Sequence, residues 1–201
     1  DDKEPPKPGD GTGMVDFKGE KRSNATHQSS TDPEAKLMRK GNGQPARLSY
    51  GGHALMENRS GLCVDLLITD ATLAEHQAAR QLLTRARRRK IHPKTLGADK
   101  GYHVKDFVQH LREHNIRPHI ARIEGRKTPG LDGRTTRTAG YKVSQRKRKR
   151  IEEIFGWLKT VGGMRKTRFI GQARTQIAAY LSAAAYNLLR IAKLQSAGSA
   201  A

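Results

Sequence analysis

Two acids in this chain stand where chemistry is possible. Glu152 lies in residues 145–159, Gln-Arg-Lys-Arg-Lys-Arg-Ile-Glu-Glu-Ile-Phe-Gly-Trp-Leu-Lys, which join a dense basic run to an amphipathic segment. Ile151, Ile154, Phe155 and Leu158 recur at i, i+3, i+4 and i+7, the spacing of a helix with one buried face. At about 100° per residue, Arg148, Glu152 and Lys159 share a stripe beside that face, so Glu152 is expected against the body of the protein and Glu153 toward solvent. The other acid, Asp99, ends a short apolar run from Lys94. An acid at the carboxyl end of a strand sits where open α/β sheets place their ligands. Convergent carboxylates among Arg and Lys suit phosphoryl transfer: they hold Mg²⁺ (or Mn²⁺) among oxygen ligands, and the metal activates water or a 3′-hydroxyl. Asp99 and Glu152 are therefore the candidate catalytic and metal-holding residues. Arg146, Lys147, Arg148, Lys149, Arg150, Lys159, Arg165 and Lys166 are the candidates to neutralise a DNA backbone.

A rival metal site is weaker. His110 and His114 are four apart on an expected helix, with His103 and His119 near in sequence. No cysteine pair or His-Glu-x-x-His string accompanies them, so they read as helix-surface histidines.

Composition favours a polyanion partner. Among 201 residues there are 39 Lys and Arg against 19 Asp and Glu, a net charge of +20, and nucleic acid is the natural partner for such an excess. Aromatic residues are 5%, too few for base stacking to dominate binding. The single cysteine, Cys63, falls in the apolar run Leu62–Ile68 and reads as a buried thiol, consistent with a reducing, cytoplasmic setting. No secretory signal is recognisable and no apolar run is long enough for a bilayer, so the Asn24-Ala25-Thr26 sequon is set aside.

These residues need elements to position them. Residues 1–46, Pro/Gly-rich at the start, read as a disordered or extended arm. Residues 47–195 read as one domain, and 196–201 as a frayed tail. Strands are expected at 47–56 and 62–69, paired antiparallel across the turn 57–61. A helix follows over 71–90, with Thr72 as N-cap and Glu75 completing a capping box. Its basic end, Arg85 to Lys90, fits a helix terminus and a DNA contact about equally. Then come a strand to Asp99, a helix over 104–114, a strand over 116–121, and a mobile phosphate-gripping loop over 122–144. The helix that carries Glu152 ends near Gly162-Gly163. A last helix spans 172–195, packing through Ile177, Leu181, Ala184, Ala185, Leu188 and Ile191. The order implies an α/β fold with an antiparallel entry and a parallel continuation.

With both acids placed, the chain resembles the catalytic domain of bacterial insertion-sequence DDE transposases. Gly97-Ala98-Asp99-Lys100-Gly101-Tyr102 resembles the family's strand with its second aspartate, and Gln145-x2-Arg148-x3-Glu152-x6-Lys159 its Tyr-Arg-Glu-Lys signature. Residues 16–27, 52–59 and Tyr186-Asn187-Leu188 look like further segments of these proteins. The resemblance implies a ribonuclease H-like mixed sheet flanked by helices. It also implies Mg²⁺-dependent cleavage and strand transfer on double-stranded DNA, Arg148 and Lys159 near the reacting site, a homodimer on paired ends, and a cytoplasmic protein associated with the nucleoid when bound. Two departures stand out. Gln145 replaces the signature tyrosine, which is expected to alter a DNA contact. The first aspartate, in the family an Asp-Gly-Thr on the first strand, has only Asp10-Gly11-Thr12 as a counterpart. That triplet lies in a Pro/Gly-rich stretch and reads as coincidence. The first strand is expected upstream of residue 1, leaving a truncated chain that binds DNA but catalyses poorly. A non-catalytic DNA-binding remnant or inhibitor of transposition is the alternative, and a ribosome-associated protein is favoured by charge alone.

Overall fold

The computed structural model describes residues 23–39, 41 and 43–198. Asp10-Gly11-Thr12 and the start of the segment 16–27 lie outside them. Strand β1 (Lys36–Met38) opens the described fold, so the stretch before residue 47 contains a strand that its sequence did not announce. Next come β2 (Arg47–Met56) and β3 (Cys63–Asp70), antiparallel from Tyr50 opposite Asp70 to Met56 opposite Cys63. Gly51 is required by that pairing, because a Cβ there would come within 2.7 Å of Thr69 Oγ1. The turn between the strands closes on Glu57, whose carboxylate accepts from Ser60 N–H at 2.6 Å and Arg59 N–H at 2.9 Å.

Helix α1 (Glu75–Arg88) follows, one turn shorter at its start than expected. Thr72 does not cap it. Its N–H and hydroxyl both bond Asp70 Oδ1 at 2.6 Å, and Ala74 takes the N-cap position without a side-chain bond. The chain continues as β4 (Thr95–Ala98), α2 (Lys105–Glu113), β5 (Arg117–Ile120), the single turn α3 (Gly133–Thr136) and α4 (Ala139–Lys147). The segment 122–144, expected to be a mobile loop, is therefore partly helical. A 3₁₀ turn over Arg148–Arg150 leads into α5 (Ile151–Thr160), and α6 (Gln172–Gly198) closes the fold.

The strands form two groups, β1-β2-β3 and the parallel pair β4-β5, which are not hydrogen-bonded to each other among the described residues. Two cores tie them to helices. Leu66 and Ile68 of β3 pack with Ile154 and Leu158 of α5 and with Ala179, Ala183 and Tyr186 of α6. Ile116 and Ile120 around β5 pack with Leu83 of α1 and with Phe107, Val108 and Leu111 of α2. The opposite face of β3 meets α1 through Leu67, Ala78 and Leu82. The result is a mixed α/β, ribonuclease H-like arrangement with helices on both sides of small sheets.

Helix α6 lies along the free edge of β3 and satisfies it with side-chain amides. Gln176 Nε2 donates to Leu66 O at 2.9 Å, and Ile68 N–H donates to Gln176 Oε1 at 2.8 Å. Asn187 makes the same pair with Cys63, at 2.9 and 2.8 Å. An exposed strand edge is a template for unwanted pairing, and this helix covers it.

Candidate functional site

Asp99 follows the last residue of β4. Its Oδ1 accepts from Gly101 N–H at 2.8 Å, capping the 3₁₀ turn Lys100–Tyr102 and fixing the carboxylate at the strand's end. A second carboxylate reaches the same place. A Cβ built on Gly101 would stand 3.1 Å from Asp99 Oδ1 and 3.5 Å from Glu75 Oε2. Burial and the charge of Asp99 push the Glu75 carboxyl above its ordinary range. The Tyr102 phenol is likewise pushed up, by burial and then by Glu75 and Asp99. Among the described residues no Lys or Arg ion-pairs with Glu75, Asp99 or Glu152, although the chain carries a charge of +20. Oxygen donors that converge without a cationic side chain fit a hard divalent cation such as Mg²⁺.

The α4–α5 run crosses both strand groups. A Cβ on Gly97 of β4 would meet Ser144 O at 3.5 Å and Arg148 Cβ at 3.6 Å, and one on Gly52 of β2 would meet Phe155 Cε1 at 3.9 Å. Seven residues of helix separate Arg148 from Phe155, a rise of roughly 10 Å. Among the described residues Asp99, Glu75 and Glu152 do not gather as a group of three potential metal ligands; that is seen only for His110, Glu113 and His114, and Glu152 lies in the first turn of α5. It is exposed, not held against the body as expected.

Gln145 is bonded within the fold. Its Nε2 donates to His119 O and to Ala98 O, at 3.5 Å for the latter, so it pins the helix to the carboxyl ends of β5 and β4. Its Oε1 accepts from Arg148 Nε at 2.9 Å, which aims Arg148 along the strand ends. Lys159 stands 6.0 Å from the Phe155 ring on the same side of the helix.

The structure divides the other expected DNA contacts. Val143, Arg146, Lys147, Lys149, Arg150 and Glu153 line a cavity of about 480 Å³. Arg148 and Glu152 are not among the residues that line it. Arg150 is partly committed, since its guanidinium donates to Arg59 O at 2.7 Å in the β2–β3 turn. Arg165 and Lys166 are exposed beyond α5. At the end of α1, Arg85 bridges the buried Asp65 at 3.0 Å and Arg89 joins it, so these two cations serve the fold.

The histidines separate as well. His103 and His119 are buried, not on the surface. Ile123 N–H donates to His103 Nδ1 at 2.9 Å, and His119 Nδ1 lies 2.7 Å from Ser144 Oγ. Burial, and then nearby arginines, hold both rings below the ordinary histidine range. His110, Glu113 and His114 do gather, with ligand atoms within 4.8 Å of one another on the surface of α2. Cys63 is buried and its thiol is pushed up to about 11, first by burial and then by Asp65, which makes it a poor nucleophile.

Glu75 is the residue that sequence reasoning missed. Its spacing from Thr72 suggested a capping box, and only the tertiary structure turns it to Asp99. No helix among the described residues is long and apolar enough to cross a membrane. Comparison with curated proteins and with solved structures gives no match. A family model, described as the transposase DDE domain, matches residues 16–188.

Proposed function

The chain belongs to the transposase DDE domain family, and from that membership and the site geometry we propose that it provides the metal-dependent phosphoryl-transfer centre of a bacterial insertion-sequence transposase. The observation that supports the proposal is the close approach of Ser144 and Arg148 to Gly97 of β4, the strand that Asp99 follows, at the start of the run that leads to Glu152 and Lys159. Asp99 and Glu152 would hold Mg²⁺ or Mn²⁺, with Glu75 as a supporting carboxylate beside Asp99. The metal would supply Lewis-acid polarisation of the scissile phosphate and a lowered pKa for the attacking hydroxyl.

The chain's own residues do the rest. Arg148, oriented by Gln145, neutralises phosphate charge beside the strand ends. Lys159, one turn past Phe155, holds the backbone farther along. A strand bearing a further carboxylate would complete the sheet between β2 and β4, the strands of the two separate groups that the α4–α5 run touches. That strand would come from outside the described residues and would bring the family's first aspartate toward Glu152.

The test is Asp99→Asn and Glu152→Gln in the full protein. The readouts are Mn²⁺ affinity by calorimetry and cleavage of DNA carrying the transposon ends. Each variant should lose more than about a hundredfold in cleavage and weaken Mn²⁺ binding. Unchanged metal affinity and cleavage in Asp99→Asn would sink the site.

A second reading is DNA binding without catalysis, which the cavity lined by Arg146, Lys147, Lys149 and Arg150 favours because it gathers four cations and neither Asp99 nor Glu152. It predicts salt-sensitive affinity that Asp99→Asn leaves intact and Arg146→Glu with Lys149→Glu abolishes. Cleavage by the parent protein that depends on Asp99 would exclude it.

A further inference from the structure

Helix α2 is held in place by one apolar face. Phe107, Val108 and Leu111 are fully buried, packed with Ile116 and Ile120. Beside that face, His110, Glu113 and His114 occupy the last turn and the C-cap, at i, i+3 and i+4, which are neighbours on a helix surface. We propose that these three side chains form a binding site for a first-row transition-metal ion, Zn²⁺ in the first instance, separate from the carboxylates at Asp99.

The donors already converge. One ligand atom from each residue lies within 4.8 Å of the others, and the two imidazole centroids are 4.2 Å apart. Ligand atoms on one Zn²⁺ stand about 3–3.5 Å apart, so small rotations of these side-chain ends close the set.

The surrounding bonds prepare the ligands. His114 Nδ1 lies 2.8 Å from His110 O, and a carbonyl oxygen only accepts, so Nδ1 carries the proton. In the neutral ring Nε2 then holds the lone pair that a metal needs, and a backbone carbonyl on the other nitrogen is the usual support of a ligating histidine. Gln109 Nε2 donates to Glu113 Oε1 at 2.8 Å, which steadies the carboxylate and leaves it a second oxygen to give. Burial, and then His114 and Arg80, hold the His110 ring below the ordinary histidine range, so it is neutral at pH 7. The C-terminal end of a helix also favours a cation.

The donor set selects the metal. Two imidazoles and one carboxylate suit Zn²⁺, Ni²⁺ or Cu²⁺, whereas Mg²⁺ prefers oxygen alone. His103 and His119 do not join, since they are buried against Thr128 and Ser144. Three protein ligands leave a position for water or an outside group. A bound ion would clamp the turn from which Arg112 reaches Gly130 O at 2.9 Å and Thr135 Oγ1 at 2.6 Å, and so would steady the segment before α4.

The experiment is calorimetric titration of the full chain with Zn²⁺ at neutral pH, in a buffer with millimolar Mg²⁺ to occupy oxygen-only sites. The parent should bind one ion with Kd about 10 µM or tighter, and Zn²⁺ should raise its Tm. His110→Asn and His114→Asn should each weaken binding at least about tenfold and abolish the Tm rise, and Glu113→Gln should weaken it less. None of the three side chains is buried, so circular dichroism without metal should match the parent. Asp99→Asn should leave Zn²⁺ affinity unchanged, which separates this site from the carboxylate centre. No binding by the parent at 100 µM Zn²⁺, or binding indifferent to both histidine variants, would overturn the proposal. So would binding that Asp99→Asn removes.

Discussion

Helices α5 and α6 both carry large apolar residues at helical spacing, and the fold turns one set inward and the other outward. In α5, Ile154 and Leu158 are buried against β3, as their spacing implies. In α6, Ile177, Leu181 and Leu188 face out, while Thr175, Ala179, Ala183 and Tyr186 face in. The difference lies in what each helix meets. Helix α5 lies over a sheet face, where backbone groups already pair with neighbouring strands, so apolar side chains suffice. Helix α6 lies against a strand edge. There Leu66 O, Ile68 N–H and both groups of Cys63 need partners, and amides at Gln176 and Asn187 provide them. A buried backbone group without a partner costs about 1–3 kcal/mol, enough to decide which side of an otherwise amphipathic helix faces in.

Mutations can break or sharpen this contrast. Ile154→Ala should lower the unfolding free energy by about 3 kcal/mol in urea titration, because the side chain is fully buried and leaves a cavity. Asn187→Leu should cost about 2 kcal/mol although it adds apolar surface, because both backbone groups of Cys63 lose their partner. A stabilised Asn187→Leu would mean the edge bonds do not orient α6. Gln145→Leu should cost about 1 kcal/mol, and it should loosen Arg148 enough to weaken salt-sensitive DNA affinity measured by filter binding. Leu188→Ala should change the unfolding free energy by less than about 0.5 kcal/mol, the expected smallest effect, because the side chain is 69% exposed. A cost equal to that of Ile154→Ala would erase the comparison.

Acid should act on the other core. His103 and His119 have folded-state pKa values below the ordinary histidine value near 6.5. Above about pH 6.5 both states leave these rings neutral, and the stability they permit is fully present. As pH falls below that value the unfolded chain takes up protons before the folded one does, so stability declines until the folded pKa values are passed. Thermal unfolding at pH 7 and pH 5 should show a lower Tm at pH 5, and the difference should shrink in His119→Gln. An equal difference in that variant would show that His119 contributes nothing to it.

Much of the positioning was legible. The spacing of Leu82 and Leu83, of Phe107, Val108 and Leu111, and of Ile154 and Leu158 marked helices whose apolar stripes are buried. The alternation around Tyr50 and the branched run after Cys63 marked the hairpin. Helix α4 was hidden because it buries Ser144, not a large apolar residue, and it packs where Gly97 allows the backbone to come close. The role of Gln145 was equally invisible, since an amide that bonds two strand-end carbonyls has the same letters as one that reaches DNA.

The sequence by itself determined the family, the charge, and which residues could form a phosphoryl-transfer centre, because residue types at fixed intervals along helix and strand are local properties. It placed Asp99 at a strand end and Arg148, Glu152 and Lys159 on one stripe for the same reason. The tertiary structure alone decided that Glu75 stands beside Asp99 and that Arg146, Lys147, Lys149 and Arg150 line one cavity without Arg148. It also decided that Arg85 and Arg89 serve the buried Asp65, and that α6 presents its largest side chains to the outside. Each of these depends on which distant backbone or charge a side chain meets, and periodicity along the chain carries no information about that.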